Sequence, residues 1–401
     1  MEGSAQSAVA VRLEDYEEGF LAGLARLGYA SRSCEAQRYL VRHLSRWLAM
    51  RGLALPELSE EVAGQYVAAR RQERSFLRSR RALRPLLGYL RELGIVPAAE
   101  VAVPTTPKEV LQARFAAYLA GERGLAPATV SSYLSQARPF IAAHADAGRL
   151  SSLNARQVAS FAAQSAAGLC PRSAQVRANA VRALLGFLRQ EGVIASALAG
   201  AVGSFAAPAG TAPPKGLTPG QAGDLLAAVR ASGPAGVRNE PMVALMLRLA
   251  LRAGEVASLL LEDIDWRSGA LSVRGKGNRL DEVPLPVDVG EPLARYLRHG
   301  RPPAGVHRQV FLALDAPRGP LTAAAVASVA ARALARAGIK GPGAAHRLRH
   351  TAACGVLTAG GGLAEAGQLL RHASPQVTAV YARSDVAALR SIARPWPGAA
   401  R

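Results

Sequence analysis

From Tyr16 to Leu93 apolar residues return every three or four positions, as in FLAGLARLGYASRSCEAQRYLVRHLSRWLAMRGL, and this spacing predicts helices with one buried stripe each. Ser59 ahead of Glu60-Glu61 marks a helix start. The same plan returns from about Val110 to Ile194. Gly28-Tyr29-Ala30 answers Gly124-Leu125-Ala126, Tyr39-Leu40 answers Tyr133-Leu134, Tyr66 answers Phe161, and Leu86-Leu87-Gly88-Tyr89-Leu90 answers Leu184-Leu185-Gly186-Phe187-Leu188. The separation of matched positions drifts only from 94 to 98. This reads as a duplicated four-helix domain, with two unrelated bundles of similar spacing as the alternative.

Residues 205–216, FAAPAGTAPPKG, carry Pro and Gly without periodicity and read as a linker. Thr218-Pro219-Gly220-Gln221 then has the form of a capping box. Beyond it the pattern is mixed. Helical spacing covers 221–231, 241–250 and 254–260, and Arg252 falls among these apolar residues. Short β-like pieces follow at Ile264-Asp265-Trp266, Leu271-Ser272-Val273-Arg274 and Glu282-Val283-Pro284-Leu285, separated by the turn signals Ser268-Gly269 and Gly275-Lys276-Gly277-Asn278. Helices resume over 289–297 and 322–337. The expected fold is mainly α with a small antiparallel β-sheet in the C-terminal domain. The expected domains are 1–104, 105–206 and 217–401, with the linker at 207–216.

Composition changes the picture in three ways. The chain of 401 residues has 49 basic against 29 acidic side chains, a net charge of +20, which favours a polyanionic partner over a merely solvated surface. Only Lys108, Lys215, Lys276 and Lys340 are lysines, so a lysine kept in the 275–278 turn stands out, where a proton donor of adjustable pKa has a use. Cys34, Cys170 and Cys354 are scattered, without metal-ligand spacing, as expected of structural thiols in a reducing cytoplasm. No signal-peptide pattern opens the chain and no apolar run reaches membrane-spanning length, so a cytoplasmic protein without a membrane partner is expected.

Candidate chemistry gathers near the C-terminus, in AHRLRHTAACGVLTAGGGLAEAGQLLRHASPQVTAVY. His346 and Arg349 are three apart and share a helix face. Gly360-Gly361-Gly362 interrupts the helical pattern, a second helix over 363–371 delivers His372 at its end, and Ser374-Pro375 opens a third ahead of Tyr381. Arginine, histidine and tyrosine without an acidic neighbour suit a phosphodiester that is clamped and attacked by the phenol.

H-x-L-R-H-T, then L-x-x-H, then T-x-x-Y resembles the C-terminal signature of the tyrosine recombinases, or phage-type integrases, which share a catalytic fold with type IB topoisomerases. That family adds an arginine in L-R-x-x-E-x-x-x-L and a lysine in a β-hairpin, and Arg252 and Lys276 hold those places. The resemblance implies a site-specific recombinase that cuts and rejoins double-stranded DNA through a 3′-phosphotyrosine and a Holliday junction, with no cofactor and no metal. Tyr381 is then the nucleophile, Arg252 and Arg349 hold the non-bridging oxygens, and Lys276 protonates the leaving oxygen. His346 takes the phenolic proton or bonds the phosphate, and His372 holds a further oxygen. Glu255 is a structural partner for Arg252, and His350 orients its helix. One departure is Arg371, where the family usually has glycine.

The second helical copy resembles the SAM-like core-binding domain of the same family, which implies DNA contacts for Arg172, Arg177 and Arg182. In the first copy the run Arg70, Arg71, Arg74, Arg78, Arg80, Arg81 and Arg84 either tracks phosphates, with Arg78 and Arg81 as candidates, or covers a solvated face with Glu73. The resemblance further implies a homotetramer on DNA in the bacterial cytoplasm, associated with the nucleoid. After Tyr381, residues 386–393 form either a segment that docks on a neighbouring subunit or a tail packed on their own domain. A topoisomerase-like or telomere-resolving enzyme and a cleavage-deficient DNA-binding relative are the alternatives. Target site, direction of the reaction and accessory recombinases are not written in the residues.

Overall fold

In the computed structural model, residues 12–72, 79–98, 103–145, 150–205, 216–275, 279–303, 306–372 and 374–384 are described. They fall into two compact units, one drawn from residues 1–98 and 212–401, the other from 99–211.

The first stretch forms helices α1 (Glu17–Arg26), α2 (Ser31–Met50), α3 (Glu60–Gln72) and α4 (Arg80–Glu92). On α2, Leu40, Val41, Leu44, Trp47 and Leu48 make the apolar stripe, and they pack with Phe20, Tyr66, Leu86 and Leu90 in one core. The hydroxyl of Ser59 accepts from the Val62 amide at 3.3 Å, as its position at the start of α3 predicts. The arginine-rich run is not one helix. The described part of α3 reaches Gln72, and Ser79 caps α4 in extended conformation, at φ −118° and ψ 148°. Arg70 is fully buried, with its guanidinium 5.8 Å from the ring centres of both Tyr39 and Tyr66, so it belongs to the core.

Residues 99–211 carry α5 (Pro107–Gly121), α6 (Pro127–His144), α7 (Ala155–Ala166) and α8 (Pro171–Gln190). Pro107, Pro127 and Pro171 occupy the first turn of their helices, where the missing N–H costs nothing. Thr106 with Glu109 and Asn154 with Gln157 form capping boxes. Phe115, Leu119, Phe140, Ile141, Leu184 and Leu188 fill the core. Gly28 after α1 and Gly124 after α5 both take positive φ, at 83° and 56°.

The C-terminal part begins with α9 (Pro219–Arg230), capped by Thr218, and α10 (Pro234–Arg248), whose residues 242–247 are buried all round. Then come α11 (Ala253–Ser258), strands β1 (Ile264–Asp265), β2 (Ala270–Arg274) and β3 (Leu280–Pro284), and α12 (Val287–Arg295). The strands form one antiparallel sheet in the order β1-β2-β3, with Leu271 opposite Val283 and Leu271 and Val273 turned to the core. Helices α13 (Ala323–Arg336), α14 (Ala344–Thr358), α15 (Leu363–Leu370) and the short α16 (Pro375–Thr378) complete the part. Helix α10 packs against α9, α12 and α14, which sets the end of α10 beside the helix that carries the histidine–arginine motif.

Candidate active site

Where α10 runs out, the chain makes a tight turn through Leu249, Ala250 and Leu251, and Ala250 takes a positive φ of 52°. Arg252 follows in extended conformation as the cap of α11, between the two helices. The reason is local. Glu255 reaches back to accept the Arg252 amide at 2.8 Å and holds the Arg252 guanidinium at 2.5 Å. Arg252 keeps 42% of its side chain exposed, whereas Glu255 is buried and takes a second ion pair, 2.6 Å from Arg371. Burial pushes the Glu255 carboxyl up, but the Arg252 amide and the two guanidiniums outweigh it and hold it below the ordinary carboxylate value.

Helix α14 presents His346, Arg349 and His350. Arg349 is buried and donates to the carbonyls of Ala250 and Leu370, joining the turn after α10 to the end of α15. A guanidinium has more N–H donors than these two carbonyls take, so donors remain for an anion. Burial, then the neighbouring charges of Arg252 and Arg371, bring its pKa down to about 10, which leaves it charged at neutral pH.

Tyr381 lies in the turn after α16, only 3% exposed, in a small apolar cluster with Ala250, Ala353, Leu357, Ala366 and Leu370. Its hydroxyl is 2.5 Å from His350 Nδ1. Burial raises the phenol to about 12, and burial together with His346, Arg349 and His372 lowers His350 to about 4. Both groups are therefore neutral at neutral pH, and the His350 tautomer sets which of them donates. His346 is exposed and sets its ring edge-on to His350, with centres 4.6 Å apart. Sequence reasoning gave His350 only a helix-orienting part; its spacing of one from Arg349 did not reveal that it turns to the tyrosine.

At the end of α15, Arg371 takes the left-handed conformation, φ 49° and ψ 50°, and His372 comes next. His372 Nδ1 is 2.9 Å from the buried hydroxyl of Thr378. Burial, then Arg349, Arg252 and Arg371, lower its pKa to about 4. Arg252 and Arg371 act on Arg349 as well, and Arg349 in turn is the charge that reaches both His372 and Tyr381. Lys276 lies outside the described residues. The pairing of β2 with β3 continues to Gly275, whose amide donates to the Arg279 carbonyl at 2.7 Å. Arg279 and Asp281 line a cavity of about 780 Å³ together with His372, Arg371 and Thr378.

Of the other arginine candidates, Arg172 and Arg81 are exposed. Arg177 donates to Gln136 and to the Ser165 carbonyl, and Arg182 to Asn179 and the carbonyls of Val202 and Gly203. Arg78 and residues 386–393 lie outside the described residues. No group of acids, histidines and cysteines fit for a metal occurs among the described residues, and no described helix is long and apolar enough to cross a membrane.

Residues 215–387 match the phage integrase family, and residues 113–192 match the N-terminal SAM-like domain of phage integrases. A candidate integrase/recombinase of Sinorhizobium fredii, y4rA, is 36% identical over 388 residues, spanning 95% of this chain and 94% of its own. The chain belongs to the phage integrase family. Within it, the tyrosine recombinase XerD of Xanthomonas axonopodis pv. citri is 37% identical over 176 residues, 42% of this chain and 58% of that protein. The integrase fold is shared with the XerH site-specific recombinase bound to a palindromic difH substrate after cleavage, at a TM-score of 0.59 and 17% identity, over 72% of this chain and 96% of that one. A lambda integrase dimer on a COC′ core site gives 0.54 and 19%, over 73% and 98%. The SAM-like match falls on the helices α5 to α8.

Proposed function

We propose that this integrase cuts and rejoins DNA at specific sites with Tyr381 as nucleophile. The observation that carries the reading is the buried Tyr381 hydroxyl, held by His350 and within the field of Arg349. In the cleavage step the phenolic oxygen bonds to phosphorus and the bond to the 5′-oxygen breaks. The phenolic proton leaves toward the His346–His350 pair, and Lys276 supplies a proton to the departing 5′-hydroxyl. Arg252, Arg349 and His372 hold the non-bridging oxygens, whose charge grows in the pentavalent state. The phosphotyrosine conserves the bond energy for rejoining.

Three guanidiniums, of Arg252, Arg349 and Arg371, face a single carboxylate, Glu255. That surplus of positive charge attracts a phosphodiester and repels a cation. In this reading residues 105–206 are the core-binding domain, 207–216 the linker, 217–401 the catalytic domain and 1–104 an extra helical domain. Arg172 and Arg81 are the exposed candidates for phosphate contact, and a tetramer on paired sites in the cytoplasm is the working assembly.

The test uses a pool of nicked duplexes of randomised sequence, which trap a cleaved strand because its fragment diffuses away. The full chain is expected to form an adduct that survives denaturing electrophoresis, and Tyr381→Phe to form none. Equal adduct from both proteins would refute the assignment of the nucleophile.

A further inference from the structure

Ala250 and Arg371 are the non-glycine residues with positive φ among the described residues, and they are 121 positions apart in the chain, counted as 371 less 250. Both lie at the same place. Arg349 donates to the carbonyl of Ala250 and to that of Leu370, the residue just before Arg371, while Arg371 donates to the Leu249 carbonyl at 3.3 Å. Each strained residue thus helps turn a peptide carbonyl inward, toward a guanidinium.

Strain of this kind persists only where the surroundings over-determine it. At Arg371 the strain has a visible counterweight. Its side chain is 5% exposed and pairs at 2.6 Å with Glu255, also 5% exposed, while its Nε finds no acceptor among the described residues. A side chain that merely filled space would be apolar here, since a buried guanidinium without a carboxylate is costly. Glycine would relieve the backbone but leave Glu255 to Arg252 alone.

We propose that Arg371 is a positioning residue for strand cleavage: it shares Glu255 with Arg252 and so fixes the Arg252 side chain and the backbone that presents His372. The two effects come from one ion pair. Glu255 Oε2 takes the Arg252 amide and Arg371, and Oε1 takes the Arg252 guanidinium. Because Arg371 and His372 are adjacent, the same pair ties the His372 turn to the Arg252 turn. This rests on the function proposed above.

The experiment measures single-turnover adduct formation on a duplex selected from the nicked pool, and DNA affinity separately. Arg371→Gly suits the left-handed backbone and is expected to fold. Its adduct rate should fall by about tenfold or more with affinity changed by less than about threefold, the signature of lost positioning. Arg371→Met should be no better than glycine, and Arg371→Lys should recover part of the rate. Glu255→Gln and Arg371→Met should combine non-additively, because both break one pair. A wild-type rate for Arg371→Gly, while Tyr381→Phe stays inactive, overturns the inference and leaves the function standing. Absence of adduct from the unaltered chain on every duplex overturns both.

Discussion

The arginines of the SAM-like unit and those beside Tyr381 solve the same problem differently. Arg177 and Arg182 are half-buried and end on neutral oxygens of their own unit, one set per guanidinium. Arg349 also ends on carbonyls, but it is 3% exposed and has Arg252 and Arg371 as neighbours with one carboxylate between them. In the first arrangement the partners of each guanidinium are neutral oxygens of the unit itself. The second keeps a surplus of positive charge beside a buried phenol and waits for an anion. Density of arginine along the chain therefore does not mark the site, and convergence of buried arginine does.

The sharpest way to break this comparison is to remove one guanidinium from each side. Arg349→Ala should lower adduct formation by about a thousandfold or more, as expected for a donor that holds charge growing in the transition state. Arg177→Ala should leave the cleavage rate nearly intact and lower stability by about 1 kcal/mol, the worth of ordinary hydrogen bonds. Equal losses of cleavage would show that the two environments do not differ in kind.

A smaller effect separates them by pH. His350 and His372 are lowered to about 4, against 6.5 in an unfolded chain. Between those values the unfolded state binds protons that the folded state refuses, so stability is complete above about 6.5 and is lost as pH falls toward 4. Thermal melts should therefore drop from pH 7 to pH 4.5, and His350→Gln should flatten that slope. An unchanged slope in the variant would remove His350 from the linkage. Residues 99–211 hold a single histidine, His144, so that unit has no such pair.

The smallest effect concerns salt. Arg172→Ala, at an exposed position, should leave the melting temperature unchanged and reduce the salt dependence of DNA binding by about one unit of slope. Arg177→Ala should do the reverse. Titrations at several salt concentrations read the difference directly.

Much of this was legible in the residues. The helix starts at Ser59 and Thr218, the three-strand hairpin region, and the spacing of His346 and Arg349 follow from rules that act within a few positions. Arg252 falls between the helical stretches 241–250 and 254–260, and the structure shows why: Glu255 caps its amide and makes it the residue just before α11. Arg70 read as part of a basic surface run; packing turned it inward against Tyr39 and Tyr66. A periodic pattern tells which face is apolar, not whether a long cation will be drawn beneath it.

By itself, then, the sequence determined the helices, their caps, the hairpin and the set of groups able to attack a phosphodiester, because each depends on neighbours three or four positions away. Tertiary structure alone decided that Arg371 meets Glu255 across 116 positions, that Tyr381 leans on His350 across 31, and that Ala250 is bent to aim its carbonyl at Arg349. Such pairings are made by packed helices, and no local spacing carries them.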